Sequence, residues 1–241
     1  MLKPIISSDS HITEPPGTYV DRIDKKYKDT APHVVRDEKK GDLFIIEGLN
    51  QPIPMGLVAA AGQKAEELKT FGAKFEELHR GGWDPQARMA DQERDGVAAE
   101  VIYPTVGMLL CNHPDFDYKK ACFDAYNEWV AEYCSAHPTR LIGLGQTAMR
   151  SVDEGIEDLR KMKALGLKGV MMPGNPAIAD YDDPMYDAFF QAAIDLQMPP
   201  SFHILTSKGD VVAAPPRGPK MNGFMSIIRG CQDIMGTFIL G

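Results

Sequence analysis

The chain has 241 residues, of which 44% are hydrophobic, and a formal net charge of −8. That length and apolar content support a sizeable core and exclude a globally disordered chain. The acidic balance, with no basic cluster beyond pairs such as Lys25-Lys26 and Lys39-Lys40, argues against a nucleic-acid partner.

The N-terminus lacks the apolar core of a signal peptide, and no apolar run approaches the roughly 20 residues of a membrane span. No membrane partner and a cytoplasmic location are therefore expected. Ile5 and Ile6 lead into Ser7-Ser8-Asp9-Ser10-His11, a first strand that ends in polar residues. Residues 13–95 fit no single strand or helix and read as a long insertion after that strand. Within it, Val34-Val35 and Leu43-Phe44-Ile45-Ile46 flank Glu38-Lys39-Lys40-Gly41 and predict a hairpin. A helix is predicted over 65–79. A second has Asp84 as N-cap, Pro85 at its first position and Gly96 past its end.

From residue 99 the pattern becomes regular. Strands are predicted over 99–103, 141–144, 168–172, 200–204 and 237–240. Helices are predicted over 118–136, 151–165, 184–196 and 221–235. The first of these helices puts Cys122, Tyr126, Trp129, Val130 and Tyr133 on one face. The second opens on a capping box, Ser151 with Glu154, and closes at Gly166. Strands alternating with helices imply parallel βαβ units and an α/β fold, as an open doubly wound sheet or a closed barrel. No linker composition divides 1–241, which reads as one domain carrying the 13–95 insertion. Of the four cysteines, Cys111, Cys122, Cys134 and Cys231, none are at metal-knuckle spacing. Cys122 and Cys134 lie roughly 18 Å apart along one predicted helix, too far for a disulfide. The cysteines read as reduced thiols.

Asp9 and His11 are two apart at a strand's end, so their side chains project from one face. Alone, the pair reads equally well as a polar strand exit. His203 lies near the end of another predicted strand, at the end where barrel enzymes carry their chemistry; alone, it reads better as a core histidine satisfied by a backbone carbonyl. Together, Asp9, His11 and His203 form an N/O donor set suited to zinc, or to manganese or iron with less selectivity. His79 and His137 sit near predicted helix C-termini, where an imidazolium complements the dipole. His113, before Pro114 and beside Asn112, reads better as a turn residue than as part of the site lining. There is no dinucleotide fingerprint, P-loop or nucleophile elbow.

Seven stretches carry a resemblance: residues 8–15 (SDSHITEP), 88–97 (RMADQERDGV), 126–129 (YNEW), 137–143 (HPTRLIG), 166–170 (GLKGV), 181–186 (YDDPMY) and 201–203 (SFH). In that order they resemble the amidohydrolase-related family that includes aminocarboxymuconate-semialdehyde and γ-resorcylate decarboxylases. The resemblance implies a (β/α)₈ TIM-type barrel and one divalent metal, zinc or manganese. Asp9, His11 and His203 occupy ligand positions. Glu14 is typical of the Asp-Ser-His-x-x-Glu-Pro subgroup, as a support or a substrate contact. The family's small-residue pattern after the third ligand is replaced by Ile204-Leu205-Thr206. The family's catalytic histidine and last metal-binding aspartate are expected beyond Gly241, because about six of eight strands are read here. The barrel is therefore expected to be incomplete, and the 241-residue polypeptide inactive alone.

The function so implied is a metal-dependent hydrolase or decarboxylase acting on a small cyclic or aromatic carboxylate, with a homo-oligomer expected. The 13–95 segment is expected to form a lid. Trp83, the Met55 to Ala61 stretch and Tyr103 are candidate substrate contacts beside Glu14. Two other classes compete: a non-catalytic barrel that binds a small molecule or a partner subunit, and an unrelated open α/β binding domain.

Overall fold

The structure, a computed structural model, describes residues 3–206 apart from 59, 69, 70, 175 and 204, together with 235 and 236. The elements run β1 (Ile5–His11), α1 (Gly17–Val20), β2 (His33–Asp37), β3 (Gly41–Ile45), β4 (Ile53–Pro54), α2 (Met55–Val58), α3 (Pro85–Asp95), β5 (Val97–Tyr103), α4 (Val106–Leu110) and α5 (Phe116–Ser135). They continue with β6 (Leu141–Gln146), α6 (Val152–Ala164), β7 (Gly169–Met172), α7 (Asp187–Asp195) and β8 (Pro200–Phe202). Parallel strands thus alternate with helices from β5 onward, as the pattern required. The predicted helix over 221–235 (Met235 apart) and the strand over 237–240 lie outside the described residues.

The chain forms two compact units: the described residues of Met1–Val106 with Asp124–Leu144, and those of Gly107–Phe123 with Gly145–Gly241. In the first, β1 pairs parallel with β5, His11 opposite Tyr103, and β5 pairs parallel with β6, Glu100 opposite Leu141. The register of β1 shifts between Ser7 and Ser10. β2, β3 and β4 form a separate antiparallel sheet. The hairpin turn needs Gly41: its φ is +75°, and a Cβ there would stand 2.4 Å from the Ala73 carbonyl oxygen. In the second unit β7 and β8 are parallel, Met171 opposite Ser201. Leu159, Met162, Val170, Met171, Met172 and Phe189 are buried there.

Local punctuation explains the helix ends. Asp84 accepts from Gln86 N and Ala87 N at the start of α3, Pro85 follows, and Gly96 closes the helix in the left-handed region. Ser151 caps α6 through Glu154 N. The reciprocal half of the box moves by one residue, because Glu154 accepts from Arg150 N and pairs with the Arg150 guanidinium. All five residues of the expected apolar face of α5 are buried.

Two expectations are corrected. The single helix over 65–79 is replaced by short 3-10 turns at Ala65–Glu67 and Phe75–Glu77. Gly72 stands between them at φ +96° and donates its N–H to Lys40 O, and Phe75 N–H donates to Asp42. Backbone groups committed to the hairpin cannot continue a helical ladder. The helix over 184–196 is a 3-10 turn, Pro184–Tyr186, capped by Asp183, followed by α7. The tail of the 13–95 segment is α3, the helix that connects the parallel pair β1 and β5.

Candidate metal centre

Asp9 and His11 meet as their i, i+2 spacing predicts: His11 Nε2 lies 3.3 Å from Asp9 Oδ1, with Asp9 exposed and His11 half-buried. The other ring nitrogen, Nδ1, is 2.8 Å from the Pro104 carbonyl oxygen. A carbonyl can only accept, so Nδ1 carries the proton and donates it. In the neutral ring, Nε2 then presents its lone pair to a carboxylate oxygen that is also an acceptor. Two lone pairs turned towards one another in this way are a donor set that a divalent cation takes. A histidine whose distal N–H is fixed by a backbone carbonyl is the usual arrangement of a metal ligand. The donors present therefore fit a cation.

The backbone that carries His11 is restrained on both sides of one peptide plane. The Ile12 N–H donates to Tyr103 O at 3.2 Å, and the His11 carbonyl accepts from Arg88 Nη1 at 3.0 Å. Thr105 Oγ1 donates to Ile12 O, and Thr105 N–H donates to Glu14 Oε1 at 3.0 Å. Glu14 is fully enclosed, so its carboxylate frames the joined exits of β1 and β5. Its charge adds to burial in pushing the Tyr126 hydroxyl well up.

Arg88 is tied further. Its Nε and Nη2 donate to Glu100 at 2.6 and 2.9 Å, and Nη1 also donates to Gly81 O at 3.2 Å. Gln92 and Ser10 donate to the same carboxylate. Burial pushes Glu100 up, but the hydrogen bonds from Arg88 and Gln92 outweigh it and hold the carboxyl below its ordinary range. A cavity of about 360 Å³ adjoins this cluster, lined in part by Ser10, His11, His79, Arg88, Asp91 and Glu100.

His203 lies in the second unit, directly after β8, half-buried. Thr206 Oγ1 donates to its carbonyl at 2.7 Å, and Gly174 N–H after β7 donates to Thr206 O. Leu205 stands at φ +67°, a region side chains rarely adopt, and Asn112 Nδ2 donates to its carbonyl at 2.8 Å.

Tyr103 is buried with its ring 5.8 Å from that of His11. Trp83 packs 5.4 Å from Phe75 under the Arg80 guanidinium, and its indole N–H finds no acceptor among the described residues. Met55 is fully buried. His79 does not cap a helix, as its position suggested; Nε2 contacts Asp91 at 2.6 Å. His113 bonds within its own turn, to Asp115. Burial pushes the thiols of Cys111, Cys122 and Cys134 up to about 12, so they stay protonated at neutral pH and are poor ligands. Arg88, Glu100 and Thr105 were missed by sequence reasoning. Only Arg88 carried a signal, as the first residue of a resembling stretch.

Residues 77–226 match the family model described as amidohydrolase. A 2-amino-3-carboxymuconate-6-semialdehyde decarboxylase of Dictyostelium discoideum is 31% identical over 127 residues, 50% of this chain and 33% of that protein. The match thus spans about a third of the length of this curated relative. Among solved structures, an amidohydrolase from Mycobacterium avium subsp. paratuberculosis K-10 superposes with a TM-score of 0.73 at 18% identity, covering 99% of this chain and 69% of that one. A 2,6-dihydroxybenzoate decarboxylase from Rhizobium gives 0.54 at 14% identity, covering 98% and 62%. These likenesses identify the fold as part of a (β/α)₈ barrel. Five parallel strands occur among the described residues.

Proposed function

The chain belongs to the amidohydrolase family, and from that premise we propose that it acts as a metal-dependent decarboxylase on a small, ring-bearing carboxylate. The observation that carries this reading is the Asp9–His11 pair, with Nδ1 committed to Pro104 O and Nε2 turned to the carboxylate. Asp9, His11 and His203 are the proposed ligands, an N/O set that suits zinc and accepts manganese. A divalent cation held there supplies Lewis acidity, polarising a substrate oxygen and stabilising negative charge as it develops. The chain's own part is to orient. Asp9 supplies negative charge, and the Pro104 carbonyl fixes the tautomer and plane of His11. Tyr103 and Trp83, with the 13–95 segment as lid, are the proposed apolar walls for the ring. The curated relative, a decarboxylase, supports carboxy-lyase chemistry.

Metal analysis of the purified chain tests the site, with about one divalent ion per chain expected. Asp9→Ala and His11→Ala should lose it, and retention of the ion by both would overturn the ligand assignment. CO₂ release from 2,6-dihydroxybenzoate and 5-carboxyvanillate, measured on the metal-loaded chain and on one extended past Gly241, tests the reaction. Metal-dependent ester or lactone hydrolysis without CO₂ release would assign hydrolase chemistry instead.

A further inference from the structure

We infer that Arg88 is a positioning residue for His11, holding the ligand's own peptide group so that its imidazole is presented in one orientation. This rests on the metal reading proposed above. Four of the five guanidinium N–H groups are committed: two to Glu100, one to Gly81 O and one to His11 O. The guanidinium is 12% exposed, as is Glu100, so the charge is held by a partner and not by water. Glu100 is in turn fixed by Gln92 and by Ser10, the residue before the ligand.

The consequence for His11 is geometric. Its side-chain direction is set by the peptide planes on either side of its Cα. The plane after it is gripped from both sides, by Arg88 at the carbonyl and by Tyr103 O at the next N–H. The ring is gripped at Nδ1. Removing the Arg88 contact frees one side of that plane and lets the strand end rotate. Gly81 shares the same Nη1, so the 3-10 turn Arg80–Gly82 is tied to the strand end by one donor group. Lysine cannot reproduce this. A single ammonium has no planar fork with which to span two carbonyls and both carboxylate oxygens at once.

Co²⁺ is the probe, because its visible absorption reports ligand geometry as well as binding. Wild-type chain, Arg88→Lys, Glu100→Gln and a control, Asp158→Asn, are titrated with Co²⁺, and metal-free melting temperatures are recorded. Asp158 lies in the second unit, buried, where it pairs with Lys120 and accepts from Thr147 Oγ1. Arg88→Lys should weaken Co²⁺ binding by about tenfold and alter the absorption band, as loss of a group that orients a ligand does. Glu100→Gln should weaken it less, since Arg88 can still reach His11. Asp158→Asn should lower the melting temperature with affinity and spectrum unchanged. Wild-type affinity and spectrum in both Arg88→Lys and Glu100→Gln would overturn the inference, as would losses equal to those of Asp158→Asn at matched melting temperature. If Arg88→Lys fails to fold, Glu100→Gln decides. Failure of the metal reading looks different: the wild type binds no Co²⁺, or Asp9→Ala binds as tightly as the wild type.

Discussion

The exits of β1 and β8 each present one candidate imidazole, and they are secured by different chemistry. At the β1 exit a buried guanidinium and carboxylate carry the load, with Arg88 reaching the His11 carbonyl and Glu100 holding Arg88. At the β8 exit the main-chain carbonyls are taken by neutral groups. Thr206 Oγ1 takes the His203 carbonyl, and Asn112 holds Leu205 in its left-handed conformation. A charged clamp is strong but fails at once, because removing one partner leaves the other buried and unpaired. A neutral clamp fails by increments of single hydrogen bonds.

The largest effect should therefore come from Arg88→Met, which strands Glu100 and releases His11. We expect a loss of about 3–5 kcal/mol in urea denaturation. Glu100→Gln should cost less, and Arg88→Met with Glu100→Met should recover part of the single-variant loss, because no charge is then stranded. At the neutral exit, Asn112→Leu leaves the Leu205 carbonyl without its donor and should cost about 1–3 kcal/mol. A loss for Asn112→Leu equal to that of Arg88→Met would break the contrast.

Acid sharpens it next. The Glu100 carboxyl is held below its ordinary value of about 4.5, so its contribution is complete above that pH and is lost as pH falls through the lower, folded-state value. Other carboxylates are depressed as well, including Asp42 beside Arg36 and Asp84 at its cap, so wild-type stability alone does not isolate Glu100. The difference between wild type and Glu100→Gln does. That difference should be constant from neutral pH down to about 4.5 and shrink below it. A gap that stays constant to pH 3 would show that Glu100 titrates alike folded and unfolded.

How much of this was legible in the sequence follows from the kind of contact. Asp9 and His11 were legible because strand periodicity is local. The ends of α3 and α6 were legible because caps act over three residues. The Arg88 clamp was not, since it joins residues 77 apart and its acceptor is a backbone carbonyl, which every residue carries. Glu14 was legible as a support or a substrate contact, but the Thr105 N–H that donates to its Oε1 was not, since it lies 91 residues away. The helix over 65–79 failed for a related reason. Its composition favours a helix, but the hairpin takes the N–H groups of Gly72 and Phe75. His203 was read as near the end of a strand over 200–204, and β8 ends one residue before it, at Phe202; the left-handed backbone at Leu205 had no sequence signal, because leucine is not a residue that marks left-handed turns.

The smallest effects compare the two exits through the same substitution. Thr105 and Thr206 each donate a hydroxyl to a main-chain carbonyl, at Ile12 and at His203. Valine matches threonine in shape and removes only the hydrogen bond, so each change should cost about 0.5–1.5 kcal/mol. Their consequences should then diverge. At the β1 exit Arg88, Tyr103 and Pro104 still hold the peptide and ring of His11, so Thr105→Val should leave Co²⁺ affinity close to wild type. At the β8 exit Thr206 Oγ1 takes the carbonyl of the proposed ligand itself, whereas Asn112 bonds two residues on, at Leu205 O. Thr206→Val should therefore cost little more in stability and several-fold more in metal affinity. The reverse order, with Thr105→Val the weaker binder, would mean that redundancy at the β1 exit does not protect its ligand.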